Sequence, residues 1–513
     1  MRTTLTLAAG SALLLLPSCN GQKKAPASGE KTTPNIVYIL ADDMGYGDIR
    51  AYNPACKIPT PALDSLAAEG IAFTDAHTNS AVSTPTRYGI LTGRYAFRSR
   101  LKNGVLVGHD PSLIEPGRET VATLLRKGGY HTACIGKWHL GLDWARHDTT
   151  KPVFTDNPWD ITDTGNIDYA GPVHGGPSDH GFDYSYVLPA SLDIAPYVYV
   201  EDGRVNSPVS THTPAWRNDK ARGMWYRHGD KADNFDHADC LQHFTRKAVE
   251  YITSSAGRKE PFFLYFPLTA PHTPWLPSAE FEGKSGAGVY GDFVCMVDDV
   301  VRQVRLALRE SGQLENTIIV FTSDNGSSWN PEDIEETGHR ANAHFSGKKS
   351  DIWEGGHRVP FIVSWPQQIK EGKQCDEVIC TTDLMATCAE MTGLSLADNA
   401  GEDSYSFWKI LTGQPYTSPL REATIHHSIE GYFALRQGDW VYLDAHGSGG
   451  WSFPEKQAVH LPAEQLYNLK EDPAEQHNLV ASHPDKVRSM KQLLDWYVSS
   501  GRSRFPRLID KKQ

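Results

Sequence analysis

Beyond residue 20 this 513-residue chain has no apolar run long enough to cross a bilayer, no internal repeat and no Cys-x-x-Cys or Cys/His zinc spacing. It is also short of positive charge: 50 Lys and Arg stand against 62 Asp and Glu, a formal net charge of -12. That balance excludes a general attraction to nucleic acid or to anionic lipid, so an anionic substrate would need positive charge concentrated locally. Cysteine is scarce as well. Seven of the eight lie after Cys19, and an odd number cannot all pair within one chain. Cys134 and Cys295 fall in apolar stretches and read as small buried hydrophobes, while Cys375 and Cys380 are near enough in sequence either to bridge or to stay free.

The first residues follow other rules. Arg2 precedes an apolar stretch from Leu5 to Leu16, too short for a mature spanning helix, and Leu16-Pro17-Ser18-Cys19 closes it. That ending reads as a bacterial lipobox, with residues 1–19 a signal peptide and Cys19 a lipidated membrane anchor. The alternative is an ordinary signal peptide in which Cys19 is incidental. Residues 20–33, rich in Gly, Lys, Ala, Pro, Ser and Thr, suit a flexible tether. The expectation is export, and with no acidic cluster after Cys19 the periplasm is favoured over the outer face of the cell.

Several later segments share one design, a short β-rich apolar run that stops at a polar cluster. Asn35 to Leu40 runs into Asp42-Asp43; Tyr130 to Ile135 into Gly136-Lys137-Trp138-His139; Phe262 to Phe266 toward Pro271-His272; Thr317 to Phe321 toward Asp324-Asn325. Continuous apolar runs of this length predict strands buried on both faces, as in a parallel sheet. Helical stretches lie between them: Pro61–Gly70, Glu119–Gly128, Ala238–Ser255 and Asp292–Ser311. The alternation predicts an α/β fold, a large, mixed, mostly parallel sheet sandwiched by helices over residues 34–410. In such folds ligands gather beyond the carboxyl ends of the strands, where every one of these polar clusters falls. After about residue 410 the pattern changes. Tyr432 to Arg436 and Trp440 to Leu443 form a candidate hairpin, and Pro484 to Ser499 a candidate helix, so 411–513 reads as a smaller α+β domain.

Three constellations carry chemistry. The first is Ser83-Thr84-Pro85-Thr86-Arg87, followed by Leu91-Thr92-Gly93-Arg94. Pro85 suits the first helical residue, Thr84 or Ser83 a cap, and Gly93 the exit. Ser83 would then sit at a helix N-terminus, where free N–H groups favour an anion, with Arg87 about one turn further on. In the second, Asp42-Asp43 and Asp324-Asn325 are oxygen-ligand pairs directly after buried strands. Buried carboxylates are costly unless paired or bound to metal, and an all-oxygen set favours calcium or magnesium over zinc. The third is cationic: Lys137, His139, His272 and Lys349. Fixed positive charge aimed at a transferring anionic group lowers its barrier by several kcal/mol, on the order of what electrostatic sites supply. Taken singly, each of these motifs is ordinary: a capped helix, a turn, a structural histidine, a solvated lysine.

Together and in this order they resemble the formylglycine-dependent sulfatases of the alkaline-phosphatase-like superfamily. The resemblance runs from about Thr33 to Leu479 and includes Lys349 to Gly356 (KSDIWEGG) and Leu466-Tyr467-Asn468-Leu469 with Asp472-Pro473. It implies that Ser83 is oxidised to formylglycine by a radical-type maturase, because this chain carries the serine form of the signature. It implies calcium at Asp42, Asp43, Asp324 and Asn325, with the modified Ser83 completing the shell. Arg87 and Lys137 would hold the nucleophile, Lys349 and His272 the sulfate, His272 would protonate the leaving oxygen, and His139 would accept a proton afterwards. Lys349 is preferred to Lys348 because it stands five residues before Glu354, the family spacing.

The segments Asp179 to Asp183 and Ser191 to Tyr197 lie in a long stretch between core elements, where specificity usually resides. They resemble bacterial carbohydrate sulfatases related to the N-acetylgalactosamine-6-sulfatases. That implies an exo-acting enzyme on 6-O-sulfated galactose or N-acetylgalactosamine, with His180 and Asp193 as candidate sugar contacts and Trp275 as either a pocket wall or core. The competing readings are action on a 4-O- or aryl sulfate, a phosphodiesterase or phosphonate hydrolase of the same superfold, and a glycan-binding lipoprotein without catalysis.

Overall fold

The computed structural model describes Met1 and residues 33–504. The signal peptide, Cys19 and all of the tether except Thr33 therefore lie outside the described residues, Met1 apart.

Among those described, ten strands form one sheet in the order Lys373–Cys375, Ile71–Phe73, Phe361–Ser364, Thr317–Ser323, Asn35–Ala41, Phe262–Pro267, His131–Lys137, Tyr184–Leu188, Val200–Glu201 and Arg204–Val205. The five from Thr317–Ser323 to Tyr184–Leu188 are all parallel. Antiparallel strands flank them on either side. The expected mixed, mostly parallel α/β sheet is what the chain builds. Its central strands are buried along nearly their whole length, as their unbroken apolar runs require. Each large apolar side chain so buried contributes about 1.5–3 kcal/mol.

Helices pack with the sheet in two groups. Pro61–Glu69 and Cys240–Ser254 both contact Gly288–Glu310, while Ser83–Thr92 and Val121–Lys127 both contact Leu384–Thr392. Cys240–Ser254 shows how: Leu241, Phe244, Thr245, Ala248, Tyr251 and Ile252 are buried at helical spacing, leaving the other face to water.

A second, antiparallel sheet follows, made of Thr424–His427, Phe433–Gln437, Trp440–Leu443 and Gln465–Asn468. The terminal helix spans Pro484–Ser499, as the sequence predicts. Val487, Met490, Leu494 and Tyr497 on that helix share a core with Ile425, Leu435, Tyr442 and Leu466 of the sheet, and with Tyr95 and Phe97 just beyond the Ser83–Thr92 helix.

One local expectation needs correction, and one open alternative is decided. The signature helix begins at Ser83, with Val82 in the cap position, rather than at Pro85 behind a Ser or Thr cap. Val82 is fully extended, and the hydroxyls that would have capped the helix point elsewhere: Ser83 Oγ donates to Asp42, and Thr84 Oγ1 accepts the Leu106 N–H. Cys375 and Cys380 do not bridge; both are free, as are the five other described cysteines. Gly93, in left-handed conformation with φ 62°, ends the helix as expected.

Candidate active site

Parallel strands bring their carboxyl ends to one edge, and the loops leaving that edge carry the polar residues. Asp42 and Asp43 follow Asn35–Ala41, and Asp324 and Asn325 follow the adjoining Thr317–Ser323. Lys137 is the last residue of His131–Lys137, two strands over. Gly136, just before it, has φ 128°, and a Cβ there would lie 1.9 Å from the Pro267 carbonyl oxygen. Only glycine lets these two strand ends approach so closely. Asp43 (φ 67°) and His139 (φ 56°) also adopt left-handed backbone. For side chains of this kind such a conformation costs about 1–3 kcal/mol and gathers at functional sites.

The side chains converge on Asp42, Asp43 and Asp324. Ser83 Oγ donates to Asp42 Oδ1 at 3.3 Å, and Lys137 Nζ donates to Asp42 Oδ2 at 2.6 Å. Arg87 donates to Asp324 Oδ2 through Nε at 3.0 Å and a terminal nitrogen at 2.7 Å, and its other terminal nitrogen donates to the Lys137 carbonyl at 3.0 Å. Lys349 Nζ reaches Asp43 Oδ2 at 2.8 Å, whereas Lys348 turns away to Asn330 at 2.6 Å. Asn325 Nδ2 donates to Asp43 Oδ1 at 2.7 Å, and the Asp43 N–H donates to Asp324 Oδ1 at 3.2 Å. His272 Nε2 stands 3.7 Å from Asp43 Oδ2.

Burial of so much charge shapes its titration. Burial alone would raise the Asp42 carboxyl, but Lys137, His272 and Arg87 outweigh it and hold the group below the usual carboxylate range. Lys349 behaves in the mirror sense: burial would lower it, and Asp43 with Asp42 raises it instead. The Lys137 ammonium is lowered by burial despite Asp42. His139 is pushed well below the ordinary imidazole value, first by burial and then by Lys137 and Arg87. Its Nε2 contacts the Leu106 carbonyl at 2.8 Å and therefore carries the hydrogen, so a lone pair remains on Nδ1, which is buried without a partner.

One atom points to a metal. Asn325 Oδ1 is fully buried and accepts no hydrogen bond, although its own amide nitrogen is satisfied. An orphaned carbonyl oxygen beside three carboxylates is the donor set a hard divalent cation takes, so the residues present fit calcium.

Ten expected residues thus meet here. Asp193 joins them, its Oδ1 3.7 Å from His272 Nδ1. His180 is placed otherwise: its ring lies against Trp138, and its Nε2 contacts Ser112 Oγ at 3.3 Å. Trp275 belongs to the core, packed with Tyr290 and Trp329. Two residues went unnoticed in the sequence. Ser191 Oγ receives Lys137 Nζ at 3.3 Å and lies 3.4 Å from His272 Nδ1, and Arg227 clamps Asp193 Oδ2 at 2.5 Å. Ser191 and Asp193 lie in a turn closed by the Ile194 N–H on the Ser191 carbonyl at 3.1 Å, which carries no periodic signal, and nothing marked Arg227.

The family model named Sulfatase matches residues 34–394. The chain belongs to the sulfatase family. This sulfatase is 32% identical to an N-acetylgalactosamine-6-O-sulfatase of Bacteroides thetaiotaomicron, over 94% of this chain and 96% of the relative. It is 30% identical to human arylsulfatase A, over 92% and 90% respectively. Among solved structures, a B. thetaiotaomicron protein described in connection with the metabolism of multiple glycosaminoglycans superposes with a TM-score of 0.78 at 30% identity, covering 90% of this sulfatase and 99% of that chain. The sulfatase hydrolyses sulfate esters, and its relatives point to carbohydrate esters.

Proposed function

We propose that this sulfatase removes 6-O-sulfate from galactose or N-acetylgalactosamine at the end of a saccharide, with Ser83 matured to formylglycine and calcium held by Asp42, Asp43, Asp324 and Asn325. The observation that supports it most is the closure of Ser83 on Asp42 between Arg87 and Lys137, within a few ångströms of an oxygen cage with one orphaned acceptor. The 6-sulfate preference rests on the N-acetylgalactosamine-6-sulfatases among the relatives. Bound calcium would supply positive charge to the sulfate oxygens and favour an ionised hydroxyl on residue 83. Hydrated formylglycine offers two hydroxyls where serine has one, so that one can attack sulfur and the other can later expel sulfate.

The chain's own residues do the rest. Arg87 orients Asp324, and Lys137 orients Asp42 and helps keep it ionised. Lys349, on Asp43, presents positive charge where the sulfate would lie, and His272 Nε2 stands 3.7 Å from the same carboxylate. His272 Nδ1 donates to the Thr273 carbonyl at 2.6 Å, which fixes the ring and leaves Nε2 to deliver a proton to the departing sugar oxygen. His139, neutral and with a free Nδ1 lone pair, is suited to take the proton of the second hydroxyl. Serine at position 83 calls for a radical-type maturase, and Cys19 for a lipid anchor on the periplasmic side.

The test is turnover of matured enzyme on matched 2-, 3-, 4- and 6-O-sulfated monosaccharides and a phosphate ester. Highest kcat/KM on a 6-O-sulfated galactose or N-acetylgalactosamine is expected. Preference for a 4-O- or aryl sulfate would overturn the substrate, and preference for phosphate the reaction.

A further inference from the structure

The mechanism leaves unused a second buried cluster, where the Thr424–His427 and Phe433–Gln437 strands meet segment 75–78 and the short Glu354–His357 helix. Arg436 donates to Asp75 Oδ2 at 3.0 Å, and Arg358 lies 3.6 Å from Asp75 Oδ1 while bonding Glu354 Oε2 at 2.9 Å. From Asp75 runs a chain of contacts: Asp75 Oδ1 to His77 Nε2 at 2.6 Å, His77 Nδ1 to His357 Nδ1 at 3.1 Å, and His357 Nε2 to the Ile352 carbonyl at 2.9 Å. His426 stacks on His357, ring centres 4.1 Å and planes 6° apart, with its Nδ1 2.7 Å from the Thr78 carbonyl.

The protons along this chain can be counted. The Ile352 carbonyl only accepts, so His357 Nε2 carries a hydrogen. Burial would raise the Asp75 carboxyl, but Arg358, His77 and Arg436 outweigh it and keep it ionised, so it too only accepts and His77 Nε2 carries a hydrogen. Two neutral imidazoles own two N–H groups, and both are spent. The remaining contact would then oppose two lone pairs at 3.1 Å in a dry interior.

We infer that the His77–His357 pair holds a third proton at neutral pH, between its two Nδ1 atoms, and that the resulting imidazolium, clamped on Asp75, latches the C-terminal sheet to the catalytic sheet. The link is direct, because Arg436 grips the same carboxylate from the second sheet and His426 covers His357. His357 and His426, whose rings are parallel, cannot both aim their in-plane lone pairs at one ion. The groups facing the pair are Asp75, Glu354, Arg358, Arg436, His426 and, through the Glu354 N–H at 2.8 Å, Glu475. Burial first, and Glu354 second, raise the Glu475 carboxyl well above the ordinary value, so it adds no charge. Burial lowers the His357 imidazole and Glu354 opposes it, so the proton is held chiefly by the Nδ1–Nδ1 contact and by Asp75 on His77, and is open to removal by alkali. A histidine that keeps its proton above the free value stabilises the fold fully below that value, and the stabilisation is lost as pH rises through the folded one.

Neutron diffraction from deuterated crystals of the wild-type protein, at about pD 7.5, reads the count directly. Deuterium on three of the four ring nitrogens of His77 and His357 is expected. Deuterium on two, or a metal between the rings, overturns the inference. In solution, the wild-type Tm should fall between about pH 7 and about pH 9 by at least ~2 °C more than that of Asp75→Asn, which removes the carboxylate the imidazolium needs. Parallel slopes would overturn the latch. Should that variant fail to fold, the neutron result decides alone.

Discussion

Two of the buried charge clusters in this sulfatase are built to opposite ends. At the carboxyl edge of the sheet, Asp42, Asp43 and Asp324 face Arg87, Lys137 and Lys349, and an amide oxygen nearby is left without a partner. Between the two sheets, Asp75 and Glu354 face Arg358 and Arg436, and the segments they join are far apart in sequence. The first cluster gathers around a left-handed Asp43 at the strand ends; the second joins elements of the two sheets. Burial and ion pairing alone do not distinguish a site from a staple. Unpartnered atoms occur in both, Asn325 Oδ1 in the first and Glu354 Oε1, Arg436 Nη1 and His426 Nε2 in the second; what distinguishes the first is the Ser83 hydroxyl held on Asp42.

The sharpest way to test that contrast is to break each cluster in turn. Ser83→Ala should abolish sulfate ester hydrolysis, by about 10³–10⁶-fold as for other lost nucleophiles, with Tm unchanged. Steady-state rates and calorimetry on the same preparation measure both. Arg436→Met should do the reverse. Leaving Asp75 buried without its cation from the second sheet should cost about 3–5 kcal/mol in denaturant unfolding, while turnover per folded molecule stays within about twofold.

A smaller effect sharpens the comparison. Calcium at about 100 times its Kd should stabilise the wild-type protein by about 2.7 kcal/mol, seen as a rise in Tm that a chelator reverses. Asn325→Ala should lose much of that response and Arg436→Met should keep it. If both variants respond alike, the orphaned Asn325 oxygen is not a ligand. The smallest effect is expected at Cys375, which is half-buried and free. Cys375→Ser should change stability by less than about 0.5 kcal/mol, and reductant should not move the wild-type Tm.

The first cluster could be read in the sequence and the second could not, for a physical reason. Apolar runs that end abruptly in Asp-Asp, Lys-Trp-His or Asp-Asn announce both a buried strand and the polar loop at its end, so periodicity and chemistry point to the same place. Spacing to Glu354 separated Lys349 from Lys348, and the Asp43 contact of Lys349 agrees with that choice. His77, His357 and His426 sit in three segments with no shared pattern, and they meet only because the second sheet docks on the first. Arg227 escaped for the same reason, since its partner Asp193 lies 34 residues away across an irregular stretch. Proline preference alone places the start of the signature helix two residues too late, because it does not show that the Ser83 hydroxyl turns to Asp42.

Gly136 sets a boundary on how this pocket can evolve or be redesigned. A single added carbon at that position would collide with the neighbouring strand and carry the adjacent lysine off its aspartate. Room for change therefore lies in the outer loops, such as those bearing Asp193 and Arg227, while the strand-end floor stays as it is.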